Sequence, residues 1–319
     1  MDERMRACYQ KTSQVTEQVN KVIIGKEACV KKVMAAILAG GHILLEDIPG
    51  VGKTTMAMAF SKAMSLENKR LQFTPDVMPS DVLGFSLYQK HTGEFVYQPG
   101  AVMCNLFLGD EINRTSPKTQ SALLEVMEEG NVTVDGVTRK VPEPFVVIAT
   151  ENPAGSVGTQ LLPESQLDRF MICTSIGYPA LEDEIAIVKG RQPRDIGDNL
   201  QAVMSREELI YCCQMVEQIY MEDTIYRYIC ELCQATRDNS MVELGVSPRG
   251  SVSLARISKA VAFLNGRDYV IPDDVQEIFM DVTAHRIVRN AKARAAKKSV
   301  EDILREVVES TTKPTVVKR

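Results

Sequence analysis

Four residues packed into five positions could hold a phosphate: Gly50, Gly52, Lys53 and Thr54. They lie in Glu46-Asp47-Ile48-Pro49-Gly50-Val51-Gly52-Lys53-Thr54-Thr55, directly after the apolar run Ile43-Leu44-Leu45 and before a helical pattern. Two glycines let the backbone turn tightly, so that successive N–H groups point at one spot. Lys53 adds a mobile cation, and Thr54 offers a hydroxyl to Mg²⁺. A helix starting near Thr54 aims its positive end at the same place. Pro49, Gly50, Val51, Gly52, Lys53, Thr54 and Thr55 therefore make a cradle for a nucleoside triphosphate. The usual pattern is G-x-x-x-x-G-K-[ST]. Here Asp47 takes the first glycine position, a departure expected to affect loop flexibility more than phosphate contact.

Such a loop needs a carboxylate on a neighbouring strand. The run 105–109 ends in Asp110-Glu111. A short apolar run reads as a buried parallel strand, and active groups in open α/β sheets sit at the carboxyl ends of strands. Asp110 is placed to hold Mg²⁺ with Thr54, and Glu111 to polarise an attacking water. The other reading, an Asp-Glu pair capping the next helix, loses force with the phosphate loop upstream. A third strand, 145–150, ends in Glu151-Asn152-Pro153. Asn152 can orient a water or touch a γ-phosphate there, or simply cap a turn before proline.

These groups need a frame. Helices are expected over 3–21 and 26–39, then a strand over 42–46, a helix over 54–65 and a strand over 69–74. A helix over 117–129, strands over 145–150 and 171–176 and a helix over 181–190 continue the alternation. Alternation of this kind means a parallel sheet covered by helices on both faces. Two hairpins interrupt it: 85–98 around Lys90-His91-Thr92-Gly93, and 132–139 around Asp135-Gly136, a strong type I′ turn signal. From Ser205 the pattern is purely helical, over 205–219, 222–238, 248–264 and 272–290. A capping box at Ser205/Glu208 and prolines at 248 and 272 mark three of the starts. The expected division is a nucleotide-binding domain 1–190, a linker 191–204, a helical domain 205–311 and a disordered tail 312–319. The basic run 286–298 reads by default as a solvated helix end.

Size and composition allow two domains: 319 residues, 45% hydrophobic, 25% charged, net charge −5. Acidic balance gives nucleic-acid binding no support. No run reaches membrane-spanning length and none reads as a secretory signal, so a cytoplasmic protein is expected. Eight cysteines are scattered. Cys212-Cys213 with Cys230 and Cys233 could in principle bind zinc, but both pairs lie in helical patterns, and core packing is the preferred reading. The three histidines do not cluster.

With these motifs in hand, the chain resembles the MoxR family of AAA+ ATPases over nearly its whole length. The resemblance rests on Glu46 to Thr55, Gln72 to Asp76 with Pro79-Ser80-Asp81, Thr92 to Phe95, Gly109 to Arg114, Pro117 to Glu125, Ala149 to Pro153, Leu162 to Phe170 and Ser247 to Gly250. It implies a P-loop AAA+ parallel sheet sandwiched by helices, two β-hairpin inserts and a C-terminal helical lid. It implies ATP and Mg²⁺ as cofactors, Lys53 and Thr54 in the binding loop, Asp110 and Glu111 as metal-binding and catalytic carboxylates, and Asn152 as the sensor asparagine. Arg169 matches the arginine finger given to a neighbouring subunit's nucleotide, and Arg249 the second sensor on the lid, in cis or in trans. Ile24 and Gly25, between the first two helices, are also expected at the nucleotide. Glu151 stands where the family often has glutamine. The family's proteins form rings, usually hexamers, act as chaperone-like activators of client proteins, and often work with von Willebrand factor A domain partners. Two alternatives share the architecture: a nucleic-acid motor, for which Lys90, His91, Arg139 and Lys140 are the residues to watch, and the motor subunit of a metal chelatase. A nucleotide-gated scaffold is disfavoured by the intact catalytic set.

Overall fold

A computed structural model describes residues 1–47, 50–151, 162–189 and 200–315 of the chain. Helices α1 (Glu3–Asn20) and α2 (Glu27–Leu38) open it. Strands and helices then alternate: β1 (Ile43–Glu46), α3 (Lys53–Ala63), β2 (Asn68–Gln72), α4 (Pro79–Leu83), the hairpin β3 (Gly84–Gln89) and β4 (Glu94–Pro99), and β5 (Leu106–Asp110). There follow α5 (Pro117–Glu129), the hairpin β6 (Asn131–Val134) and β7 (Val137–Lys140), β8 (Val146–Glu151), α6 (Glu164–Leu167), β9 (Ile172–Thr174) and α7 (Leu181–Val188).

Five of these strands form one parallel sheet in the order β2-β5-β8-β1-β9. Strands β1, β5 and β8 are almost wholly buried, which is why they read as apolar runs, whereas the edge strand β2 is polar and exposed or half-buried along its length. Side chains alternate between two cores, as the strand period of two requires. Ile43, Leu45, Leu106, Leu108, Val146 and Ile148 face the larger cluster with α1, α2 and α3. Leu44, Phe107, Val147 and Ala149 face the smaller cluster with α5. Each fully buried large apolar side chain contributes about 1.5–3 kcal/mol. Together these layers hold the carboxyl ends of β1, β5 and β8 in register, with Glu46 opposite Glu151.

Both hairpins form where expected. Asp135 and Gly136 both have positive φ, 51° and 75°, the backbone a type I′ turn requires. The Arg139 guanidinium lies 4.0 Å from the Tyr97 ring centroid, so the second hairpin is stacked on the first.

The helical part contains α8 (Arg206–Glu217), α9 (Asp223–Arg237), α10 (Pro248–Leu264) and α11 (Pro272–Thr283). Ser205 and Ser247 cap α8 and α10 through their hydroxyls. Helices α8 and α10 pack on α1 and α2, so the lid rests on the two opening helices. Of the expected linker, 191–199 lie outside the described residues; Leu200 and Met204 are buried, and the Val203 and Met204 N–H groups donate to the Ala63 carbonyl.

Three expectations need correction here. The helix expected over 272–290 stops at Thr283, followed by a 3₁₀ turn (Ala284–Arg286) and β11 (Val288–Arg289), which pairs with β10 (Val242–Leu244). The turn swings Arg286 inward, where it is buried rather than solvated, so the basic run is not a free helix end. Two further helices follow, α12 (Ala291–Ala295) and α13 (Val300–Ser310). Cys212 and Cys233 are buried, and burial pushes their thiols up, but Cys230 faces solvent. The spacing of three places Cys230 and Cys233 at the edge of the buried face rather than both inside it.

Candidate active site

The cradle is built as its residue types dictate. Gly50 and Gly52 have φ of 90° and 97°, a region that side chains resist. A Cβ at Gly50 would meet nothing within 4 Å, so backbone conformation alone requires glycine there. Gly52 stands at the N-terminus of α3, which begins at Lys53. Ile48 and Pro49 lie outside the described residues. Gly50, Gly52, Lys53, Thr54, Thr55, Arg70, Gln72, Asp110, Glu111 and Thr150 line one cavity of about 320 Å³. The sheet order thus brings the phosphate loop and both carboxylates together.

Lys53 is buried, and its Nζ donates to the Asp47 carbonyl at 2.7 Å. Burial pushes its ammonium below the ordinary value, while Asp47, Asp110 and Glu111 pull it back up. Asp110 is buried; its carboxylate accepts from Thr150 Oγ1 at 3.2 Å and from Arg70 Nε and Nη2 at 2.7 and 2.6 Å. Thr150 Oγ1 in turn accepts from the Glu111 N–H at 2.9 Å. Glu111 is left-handed (φ 57°, ψ 49°), a conformation costing roughly 1–2 kcal/mol in a non-glycine residue. Arg114 Nη1 donates to its carboxylate at 2.8 Å. Arg70, Thr150 and Arg114 were not assigned from sequence. Their signal is weak: Arg70 and Gln72 alternate on one face of β2, and Thr150 ends a buried strand.

The residues present fit a Mg²⁺ ion. Asp110 and Thr54 put a carboxylate and a hydroxyl on one cavity wall, and two protein oxygens leave room for waters and substrate phosphate, as Mg²⁺ favours.

Asp47 does more than replace a glycine. It is buried, and its carboxylate accepts from Ser175 Oγ at 2.8 Å and from the Ile176 and Gly177 N–H groups at 2.5 and 3.0 Å. These bonds tie the start of the phosphate loop to the segment after β9. The break between α1 and α2 lies alongside: Lys26 Nζ donates to the Tyr178 carbonyl at 2.6 Å, and Ile23 Cδ1 is 3.8 Å from where a Gly52 Cβ would stand. Ile24 is half-buried and Gly25 exposed; neither lines the phosphate cavity, nor does Val51. Asn152 lies outside the described residues. Glu151 is raised to about 7 by burial and by the Glu46 charge beside it.

Arg169 and Arg249 are placed elsewhere. Neither lines the cavity. Both reach Glu128 on α5: Arg169 Nη2 at 3.3 Å from one carboxylate oxygen, and Arg249 Nη2 on the other. The backbone around Arg169 is pinned to the lid. Asp168 accepts from Ser247 Oγ at 2.8 Å and from Arg286 Nε at 2.7 Å. Arg286 Nη2 also donates to the Phe170 carbonyl at 2.6 Å.

Sheet order, phosphate loop and helical lid define an AAA+ module. Comparison with known proteins agrees. Residues 42–172 match the family model of the ATPase family associated with various cellular activities, and residues 234–307 match the AAA lid domain. The chain is 46% identical over 298 residues to the uncharacterized protein YeaC of Bacillus subtilis, covering 93% of each. It is 36% identical over 310 residues to chaperone MoxR1 of Mycobacterium tuberculosis, covering 94% of this chain and 81% of that one. A crystal structure of a candidate ATPase from Cytophaga hutchinsonii superposes with a TM-score of 0.91, at 34% identity and 98% coverage of both chains. The chain belongs to the MoxR family of AAA+ ATPases.

Proposed function

We propose that this protein hydrolyses ATP with Mg²⁺ and uses the cycle to remodel or activate client proteins, as a ring, hexameric by resemblance, in the cytoplasm where ATP is supplied. A von Willebrand factor A domain protein is the expected partner. The observation that carries the catalytic part is the convergence of Lys53, Thr54, Asp110 and Glu111 on one cavity while Arg169 stands outside it. Lys53 and the loop N–H groups hold the phosphates. Thr54 and Asp110 would hold the metal, which when bound would neutralise phosphate charge. Glu111 accepts a proton from the attacking water. Among the described residues the cavity's cations are Lys53 and Arg70, and Arg70 is engaged by Asp110; a neighbour's Arg169 supplies the further cation, with Arg249 beside it in trans. Chaperone action on proteins is suggested by the name of the M. tuberculosis relative.

Two substitutions test the division of labour. Lys53→Ala should abolish binding of a fluorescent ATP analogue. Glu111→Gln should bind it with near-wild-type affinity yet turn over slowly, because the base is gone and the phosphate contacts remain. Equal loss of affinity in both would refute the assignment.

A further inference from the structure

One surface carboxylate serves two arginines. Glu128, in the last turn of α5, accepts a hydrogen bond from Arg249 Nη2 on one oxygen and pairs with Arg169 Nη2, 3.3 Å away, on the other. The two cations come from distant parts of the chain, the segment after α6 and the first turn of α10. They are also joined behind this contact, because Asp168, next to Arg169, accepts from Ser247, two residues before Arg249. Two guanidiniums held side by side repel each other unless an anion lies between them. Glu128 is that anion, and the trio keeps a net charge of +1. Each guanidinium has five N–H donors in a rigid fork and spends few of them here. Arg169 Nε is buried without a hydrogen-bond partner, so its donor capacity is unspent. The side chains of Arg169, Arg249 and Glu128 are 30%, 43% and 38% accessible, so a ligand can reach the group from outside.

We infer that Glu128 is a positioning residue for trans hydrolysis: it orders Arg169 and Arg249 as a pair whose remaining N–H groups receive the phosphates bound by an adjacent subunit. This rests on the trans assignment of Arg169 above. A loosely held arginine must be ordered at the moment of reaction, whereas a braced pair has that ordering built into the fold. The bridge also joins the sheet domain, through α5, to the lid, so lid position sets whether the pair is assembled.

The test compares Glu128→Ala, Glu128→Gln and Arg169→Ala in assembled protein, with assembly mass checked by light scattering. Glu128→Gln is isosteric and guards against misfolding. Removing the charge should lower kcat roughly tenfold to a hundredfold, the scale of a misplaced catalytic group. KM and ATP-analogue affinity should change far less than kcat, because Lys53 and the loop N–H groups hold the ground-state phosphates and the pair acts on charge that develops in the transition state. Adding Glu128→Ala to Arg169→Ala should cost little more than Arg169→Ala alone, since the brace then has less to hold. A purely structural role would predict additive losses and a shift in affinity. Wild-type or raised kcat in Glu128→Gln, with Arg169→Ala inactive, would overturn the brace while leaving the trans finger standing. Full activity in Arg169→Ala would remove the finger itself, and the brace with it.

Discussion

Lys53 and Asp110 show how much of a single residue's role lies in its neighbours. Gly-Lys-Thr and Asp-Glu were legible because each role depends on contiguous sequence. Asp47 was not, because its carboxylate partners, Ser175 to Gly177, lie about 130 positions along the chain. Arg286 escaped notice for the same reason: a basic run gives no sign that one member turns inward to Asp168. Glu151 yields a prediction at this scale. Folded, its carboxyl keeps its proton to about pH 7, against an ordinary value of 4.5. The native state therefore binds more protons between those values, and stability falls as pH rises through that window. Glu151→Gln removes the titration. It should raise Tm relative to the parent clearly at pH 8 and much less at pH 5. An equal shift at both pH values would mean that Glu151 is not titrating there.

At the scale of elements, turn chemistry made the hairpins readable and alternation made the sheet readable. The helical part was read with less resolution. Its helix starts carry Ser and Pro signals, but the two-residue β11 and the end of α11 are set by tertiary contacts, with Arg286 reaching the carbonyls of Phe170 and Met171. The hairpins contribute no residue to the cavity lining and expose Phe85, Leu87, Tyr88 and Phe95. They are suited to mechanical output rather than chemistry. Their mutual stacking through Tyr97 and Arg139, worth about 0.5–1 kcal/mol at an exposed site, lets one move with the other. Shortening the turn at Lys90 to Gly93 should leave basal ATPase largely intact and abolish the change in turnover that a partner or client causes. A shortened variant that still responds fully would move the output to the lid.

For the whole molecule, the proposed reading divides the catalytic site between copies. In that reading one subunit supplies cradle, metal ligands and base; the Arg169 and Arg249 side chains, paired on Glu128, do not line that cavity. The sequence revealed the parts but not their separation, because distance between Arg169 and Lys53 is a property of the folded sheet and lid. Trans completion would give a lid-linked pair its use: phosphate loss in one subunit would be felt by the lid of the next. The most direct measurement mixes Arg169→Ala subunits with Glu111→Gln subunits, each slow or inactive alone, and follows ATP hydrolysis in mixed rings of confirmed composition. Interfaces that pair an intact Glu111 with a donated Arg169 should restore a measurable fraction of wild-type turnover, rising as the two variants approach equal amounts. Mixed rings that stay as inactive as either variant alone would contradict the shared site.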